Sequence, residues 1–237
     1  MAYGWHKKLE THALLLFVLS LVAVVIGGLV LLIPPYLLAG TIDPVVALKP
    51  YSALELEGRD VYIREGCNTC HSQQVRPFKT ETDRYGRYSL SGEGVYERPF
   101  LWGSRRTGPD LARVGGKYPD SWHWLHLVDP RQIEPRSNMP AFAFLTESEL
   151  DLSHTGRKLE VLRTLGHPYG DEQIANAESA ARAQADSVAA QLAGGGVQLT
   201  PEQARSEAVA VIAYLQTLGV AMRTEPVRDV SLGGAKP

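Results

Sequence analysis

The stretch Cys67-Asn68-Thr69-Cys70-His71 decides how the rest of this 237-residue chain is interpreted. Two thiols three positions apart, followed at once by an imidazole, form the attachment signature of a c-type haem. Each thiol binds one vinyl group of the porphyrin, and the adjacent histidine lies under the iron. Cys67 and Cys70 are the only cysteines in the sequence, so none is left for a disulfide framework or a second covalent haem. The motif therefore predicts one covalent haem c with His71 as its proximal ligand.

Three other uses of two neighbouring cysteines explain this stretch less well. A thioredoxin-like pair would require a strand–helix setting, whereas this pair follows a helical pattern and carries an added histidine. A structural zinc site needs four ligands. If His123 and His126 were the other two, their separation along the chain from Cys70 would be unusual for such a site. A plain structural disulfide would leave His71 unexplained. Covalent haem is the prediction that uses all three side chains.

A long apolar run precedes the motif. It extends from Ala13 to Ile33 without a charge, and Ser20 is its only polar residue. About 20 apolar residues in a helix span a hydrocarbon core of about 30 Å. The run lacks the polar stripe of a buried core helix, and it is longer than the apolar core of a cleaved signal peptide. Residues 13–33 are therefore predicted to be an uncleaved transmembrane anchor.

The distribution of basic residues predicts the orientation of this anchor. Lys7 and Lys8 lie just before the span, and the first basic residue after it is Lys49. By the positive-inside rule, residues 1–12 are cytoplasmic and the rest of the chain lies outside the cytoplasm, where haem is generally attached to such motifs. Four prolines in residues 34–51 predict an extended stalk there, not a helix.

A helix is predicted immediately before the motif, from Ser52 to Gly66. Ser52 with Glu55 three residues later forms a capping box. Gly58 lies in the middle of this helix, where glycine costs about 1 kcal/mol relative to alanine. The segment resembles the N-terminal helix of class I cytochromes c, in which such a glycine lets this helix cross closely over the C-terminal one.

The matching C-terminal helix is predicted to start at Thr200, an N-cap followed by proline and, three residues after the cap, by glutamine. Its end is predicted at Gly219. The segment resembles the last helix of class I cytochromes c, with Tyr214 as its aromatic residue. The predicted apolar face consists of Ala208, Val211, Ile212, Leu215 and Leu218.

Two further helices are predicted before it, one from Glu147 to Leu165 and one from Asp171, as N-cap, to Leu192. The second is rich in alanine and poor in large apolar residues. We therefore expect it to lie on the surface or against a partner and not to form part of a core.

The sixth iron ligand is chosen by elimination among three methionines. Met1 is on the cytoplasmic side, and Met222 follows the last helix. Met139 lies in the turn-rich loop Ser137-Asn138-Met139-Pro140, where proline can fix the direction of the thioether. Histidine and methionine are the usual ligand pair of cytochromes c. Met139 is therefore the predicted ligand, with bis-histidine ligation through His123 or His126 as the alternative.

Two regions differ sharply in charge. Residues 72–113 hold eight basic side chains against five acidic ones and are interleaved with aromatic residues. Residues 140–207 hold ten acidic side chains against five basic ones. The piece Gly108-Pro109-Asp110-Leu111 resembles the haem-packing segment of class I cytochromes c. The net charge of the chain is −2, which does not indicate nucleic-acid binding.

A series of motifs in fixed order resembles subunit II of the cbb(3)-type cytochrome c oxidases, a membrane-anchored mono-haem cytochrome c. The motifs read CHSQxxRPF, ExxRYGxYS, GExxYxxPFxWGSxRTGPDLARVGxKY, WHxxHLxxPR and SNMP. The resemblance extends from the anchor to about residue 220. One departure is Gln74-Val75, where many members have Met-Ile; this change removes a rival methionine ligand.

The resemblance implies a mainly α fold, with one transmembrane helix and a class I cytochrome c-like periplasmic domain over residues 52–220. It implies long insertions at residues 72–112 and 147–196 and a C-terminal tail at residues 221–237. The protein would be a single-pass component of a bacterial inner membrane. Its axial ligands would be His71 and Met139.

The resemblance also implies an electron-transfer subunit that is not catalytic on its own. It would take electrons from a di-haem cytochrome c subunit or a soluble cytochrome c and pass them to the catalytic haem-copper subunit I, which reduces oxygen to water. Alternatives are the cytochrome c subunit of nitric oxide reductase, a free-standing anchored shuttle and a haem-based gas sensor.

The charge distribution suggests a docking orientation within such a complex. We expect the basic aromatic insertion to pack on the catalytic subunit, with Arg105 or Arg106 near the haem propionates. Acidic residues such as Glu172, Glu178 and Asp186 would face outward and attract a basic donor.

Overall fold

The computed structural model describes residues 2–37, 42, 44–103 and 105–224. The chain divides into two compact units, Met1–Asp43 and Pro44–Pro237. Parts of the predicted cytoplasmic end, stalk and tail, namely residues 1, 38–41, 43 and 225–237, lie outside the described residues.

The first unit contains helix α1, Ala2–Thr11, and helix α2, Ala13–Leu37. Residues Ala13–Ile33 have a mean hydropathy of 3.1 and none of this stretch is buried, so its length and composition suit a membrane anchor. The prediction that the helix stops before residue 34 is wrong, because α2 continues through two prolines to Leu37. Proline removes a backbone N–H, but its fixed φ is compatible with helical backbone.

The second unit consists of helices and loops, with no β-strand among its described residues. Its α-helices are α3 (Ala53–Arg64), α4 (Cys67–Cys70), α5 (Lys79–Tyr85), α6 (Asp120–Val128), α7 (Thr155–Thr164), α8 (Asp171–Ala175), α9 (Ala177–Gly194), α10 (Glu207–Thr217) and α11 (Ala221–Thr224). Single 3₁₀ turns occur at Ser91–Gly94, Pro130–Gln132, Ala143–Thr146 and Gln203–Arg205.

The crossing of α3 and α10 forms the centre of this unit. The predicted capping box is present, because the Ser52 side chain accepts from the Glu55 N–H and the Glu55 carboxylate accepts from the Ser52 N–H across 2.8 Å. A Cβ at Gly58 would lie 1.9 Å from the Ala210 carbonyl oxygen. Only glycine permits this approach, which confirms the predicted close crossing.

The predicted start of the last helix at Thr200 is wrong. Thr200 and Gln203 make both capping-box bonds, at 3.2 and 3.0 Å, but they close only one 3₁₀ turn. Ser206 is extended, and α10 begins at Glu207. The helix is delayed because the Glu207 N–H donates to the Ser148 carbonyl across 2.9 Å, which draws the chain into a pairing with another segment.

The same pairing corrects the helix predicted from Glu147. Leu150 donates to the Arg205 carbonyl across 3.0 Å, and Glu149 and Ser206 form an isolated antiparallel bridge. Residues that take part in this pairing cannot also form the first turn of a helix. Helix α7 therefore begins only at Thr155.

The alanine-rich helix also differs from the prediction. It is divided at Asn176 into α8 and α9, and Gly170 occupies the N-cap position that was predicted for Asp171. The expectation that it avoids the core is wrong, because α9 packs against α3, α6 and α10. Small side chains on one face allow neighbouring backbones to approach closely. The buried residues of this face are Ala177, Ala181, Ala185, Val188 and Leu192.

Candidate haem site

The motif cysteines lie on one helical turn directly after α3. Gly66, with φ of 70°, reverses the backbone direction, and α4 follows as a single turn. The His71 N–H donates to the Cys67 carbonyl across 2.9 Å, so the two thiols and the imidazole share one compact piece of backbone. Both thiols are free, Cys70 is exposed, and burial raises the pKa of Cys67 to about 11.

The imidazole of His71 is held by the segment at Gly108 and Pro109. Its Nδ1 lies 2.8 Å from the Pro109 carbonyl oxygen, and a carbonyl can only accept. The proton therefore resides on Nδ1 and leaves Nε2 with a lone pair, the form in which imidazole binds a metal. A Cβ at Gly108 would lie 2.3 Å from the ring, so glycine is required there. Burial lowers the pKa of His71 and favours its neutral form.

The residues after the motif are tied to the same loop through Asp110. Its buried carboxylate accepts from the Ser72 hydroxyl across 2.6 Å and from the Gln74 N–H across 2.9 Å. It also accepts from the Ala112 N–H across 2.9 Å. These bonds fix the distance between the motif and the loop that carries Pro109. The motif sequence alone does not predict this role of Asp110.

Arg106 completes this network from the side. Its guanidinium donates to the Ser72 hydroxyl across 2.6 Å, to the Gln74 carbonyl across 2.7 Å and to Glu81 across 2.8 Å. The guanidinium is thus committed to internal partners. The expectation that Arg105 or Arg106 lies near the haem propionates stays a prediction; of the two side chains, Arg105 is the exposed one.

A second link joins the motif to α10. The Gln73 amide donates to the Tyr214 hydroxyl across 2.9 Å. The Tyr214 ring makes edge contacts with Tyr51 and Tyr62, at centroid distances of 5.6 and 5.3 Å. Tyr214, which the sequence marked as the aromatic residue of the last helix, therefore connects the central helix crossing to the haem motif.

The structure brings the loop of Met139 next to α6. Met139 is partly buried against the core, and the Phe142 N–H donates to the Leu127 carbonyl at the end of α6 across 2.8 Å. Helix α6 also carries the alternative ligands His123 and His126. Their buried Nε2 and Nδ1 atoms, respectively, have no hydrogen-bond partner in the described part of the chain.

The pKa values of both histidines on α6 are lowered. Burial, followed by the influence of His71, lowers the pKa of His126. Burial and His126 together lower the pKa of His123 to about 4. Both side chains are therefore neutral at pH 7.

Three features of the site suit a c-type haem. The His71 imidazole has its Nε2 lone pair free for a metal, and the thiols of Cys67 and Cys70 are both free. In addition, one ring nitrogen each of His123 and His126 is buried without a hydrogen-bond partner in the described part of the chain. The family model described as the mono-haem subunit of cytochrome c oxidase, FixO, matches residues 6–222. The chain belongs to this family. This membership confirms the predicted cbb(3)-type subunit II and the mainly helical cytochrome c-like fold. It implies one haem c and a place in an oxidase complex. No curated protein matches the chain.

Proposed function

We propose that this FixO-family chain holds one haem c through Cys67 and Cys70, with His71 and Met139 as axial ligands, and relays single electrons within a cbb(3)-type oxidase. The observation that carries the proposal is the 2.8 Å contact between His71 Nδ1 and the Pro109 carbonyl. This contact fixes the imidazole tautomer and orientation that a proximal ligand needs before any iron is bound.

The chain's own groups keep the ligand in place. Pro109 holds the proton on Nδ1, and the absence of a side chain at Gly108 makes room for the ring. Asp110 and Arg106 hold the supporting loop against the residues that follow the motif. A haem with both axial positions filled supplies one-electron chemistry and leaves no open position for oxygen.

Met139 is favoured over the two histidines as the sixth ligand. Its loop is fastened to α6 by the Phe142–Leu127 bond, and the thioether is partly buried beside the core. A thioether favours ferrous iron and raises the potential, which suits a carrier that must be reduced readily. His123 and His126, both on α6, are the alternative sixth ligands, and substitutions of both are included in the spectroscopic prediction of the Discussion.

The oxidase family supports the proposal of partner subunits, and the chemistry of a relay indicates their kind. A relay with no catalytic site of its own needs a donor, either a di-haem cytochrome c subunit or a soluble cytochrome c, and an acceptor, the catalytic subunit that reduces oxygen. Lys7 and Lys8 before the apolar helix favour a cytoplasmic N-terminus and a periplasmic haem domain in a bacterial inner membrane.

The insertion at residues 72–112 provides the surface for the catalytic subunit. Two of its arginines, Arg76 and Arg106, pair with acidic residues of the insertion, as their contacts with Glu81 show. The rings of Phe100 and Trp102, in contrast, stack at 4.5 Å and are about half exposed. Exposed stacked aromatics are typical anchors of protein interfaces. The proposed docking surface therefore depends more on the exposed rings of Phe100 and Trp102 than on basic side chains.

The relay is tested with the full-length protein. Haem should remain on the polypeptide after denaturation and be lost in Cys67→Ala and Cys70→Ala. The reduced protein should give no carbon monoxide difference spectrum, because both axial positions are filled. A strong carbon monoxide spectrum would favour a gas-binding module over a relay.

A further inference from the structure

Three aromatic rings form a column that starts just before α6 and continues along it. The rings of Tyr118 and Trp122 are stacked with centroids 4.0 Å apart and planes 13° apart. The rings of Trp122 and His126 are stacked at 4.5 Å, again with planes 13° apart. Aromatic pairs in proteins commonly have centroids about 4.5–7 Å apart, so this column is tight. The spacing of four residues between Trp122 and His126 places these two rings on one face of α6.

The column connects the protein surface with the ligand site. At its outer end, the exposed Lys117 places its ammonium 5.4 Å from the Tyr118 ring centroid. At its inner end, His126 adjoins Leu127, whose carbonyl accepts from the Phe142 N–H across 2.8 Å and so joins α6 to the loop that carries Met139.

The outer part of the column is fixed by one side chain of α10. The Gln216 amide donates to the Tyr118 carbonyl across 3.0 Å and to the Asp120 carboxylate across 2.6 Å. Its oxygen accepts from the Gly116 N–H across 2.6 Å. The amide of Gln216 thereby holds the start of the column against α10. Because these bonds lie within the chain, the stacking geometry is fixed before any partner docks.

We propose that the column of Tyr118, Trp122 and His126 is the route by which one electron passes between a carrier docked near Lys117 and the haem. This inference rests on the proposed relay function. The carrier is oxidised by one electron and the haem iron is reduced by one, while the rings provide overlapping π-orbitals and remain unchanged. Aliphatic side chains of similar volume would satisfy packing equally well, but they would not provide this overlap.

The route can be tested by flash photolysis of the full-length haem protein. A ruthenium polypyridyl photoreductant is attached at Lys117→Cys, and the rate of intramolecular haem reduction is measured with Trp122, Trp122→Phe and Trp122→Leu. We expect Trp122→Leu to slow reduction about tenfold or more, and Trp122→Phe to retain most of the rate. The midpoint potential and the thermal unfolding temperature, measured on the same samples, should be nearly unchanged.

Phe144→Leu is the matched control, because Phe144 also packs against an aromatic neighbour, Phe142, but lies outside the column. It should leave the rate from Lys117→Cys unaltered. Equal rates in Trp122→Leu and the unchanged protein, or slowing by Phe144→Leu alone, would overturn the route while leaving the relay intact. A failure of the unchanged protein to bind haem would overturn the relay itself. If Trp122→Leu does not fold, Tyr118→Leu interrupts the same column at its outer end and should slow reduction similarly.

Discussion

The guanidinium of Arg106 donates to the carboxylate of Glu81 across 2.8 Å and joins helix α5 to the loop that holds His71. The Glu81 side chain is only 8% exposed. Hydrogen bonds from Arg106, and next from Arg76, hold the pKa of Glu81 well below its ordinary value of 4.5. The haem site is therefore supported by a buried ion pair outside the motif.

This ion pair predicts a pH-dependent stability. A carboxylate with a depressed pKa contributes stability that is fully present above its ordinary pKa and is lost as the pH falls towards the folded value. Glu81→Gln should lower the free energy of unfolding by about 1.5–3 kcal/mol at neutral pH, because charged hydrogen bonds are lost. The difference from the unchanged protein should shrink in urea titrations near pH 3.

Asp83→Asn on the same helix is the control for this prediction. Asp83 pairs with Lys79 across 2.7 Å, but both side chains are exposed. Exposed pairs contribute about 0–1 kcal/mol, so this variant should hardly change unfolding at any pH. A Glu81→Gln deficit that persists undiminished in acid would contradict the role of the ionised carboxylate.

The two neighbouring arginines should behave differently. Arg106→Ala leaves the buried Asp110 without its cation and removes one of the two arginines that pair with Glu81, and breaking a buried pair in this way typically costs about 3–5 kcal/mol. Arg105→Ala alters an exposed side chain and should leave the free energy of unfolding within about 0.5 kcal/mol. Chemical unfolding of the two haem proteins compares them directly. Greater destabilisation by Arg105→Ala would refute the internal role of Arg106.

The central helix crossing gives a steric prediction. Gly58→Ala would place Cβ 1.9 Å from the Ala210 carbonyl oxygen, so α3 and α10 would have to separate. Overpacking of this kind costs about 1–3 kcal/mol or more, and the thermal unfolding temperature should fall. Gly194→Ala is the matched control, since a Cβ there meets nothing within 4 Å. Similar effects of the two substitutions would show that the close crossing does not limit stability.

The helix starts show what local sequence can and cannot predict. The boxes at Ser52 and Thr200 both form their expected hydrogen bonds, because those bonds involve residues three apart. Only Ser52 starts an α-helix at once, since the chain after Thr200 is drawn into pairing with Ser148, more than fifty residues earlier. A local pattern carries no information about such a distant competitor.

The residues of the site likewise fall into those that local sequence predicts and those that depend on distant contacts. The covalent motif is local, and the family match confirms the class of protein that it indicated. The bond from His71 to Pro109 spans 38 residues, and the internal pairing of Arg106 spans 25 residues to Glu81. Counting charges in the insertion could not reveal which of its basic residues, such as Arg76 and Arg106, pair with nearby acids in the folded chain.

The sixth ligand can be identified by spectroscopy. Met139→Ala should abolish the weak far-red sulfur-to-iron band of the oxidised protein, whereas His123→Ala and His126→Ala should retain it. Met139→His should lower the midpoint potential, because imidazole favours ferric iron and a thioether favours ferrous iron. An unchanged far-red band in Met139→Ala would exclude Met139 and make the two histidines the next candidates.

The exposed aromatic pair predicts how the subunit assembles. Phe100 and Trp102 lie on the insertion that begins after the haem motif, and the Gln73 N–H donates to the Trp102 carbonyl across 3.2 Å. Replacing both rings by serine removes interface anchors of a kind that often contribute at least about 2 kcal/mol each. The double variant should co-purify poorly with the catalytic subunit after gentle solubilisation, while the haem spectrum and the unfolding temperature of the isolated chain stay unchanged.

Phe144→Ser provides the control for assembly, because Phe144 is similarly exposed, at 46%, but lies outside the insertion. It should co-purify normally. Reversing the charges of Glu172, Glu178 and Asp186 should also leave assembly intact, yet it should slow reduction by a basic soluble cytochrome and weaken its salt dependence. Loss of the catalytic subunit from the acidic variant, together with normal assembly of the double serine variant, would mean that the acidic helices and not the aromatic pair form the docking surface.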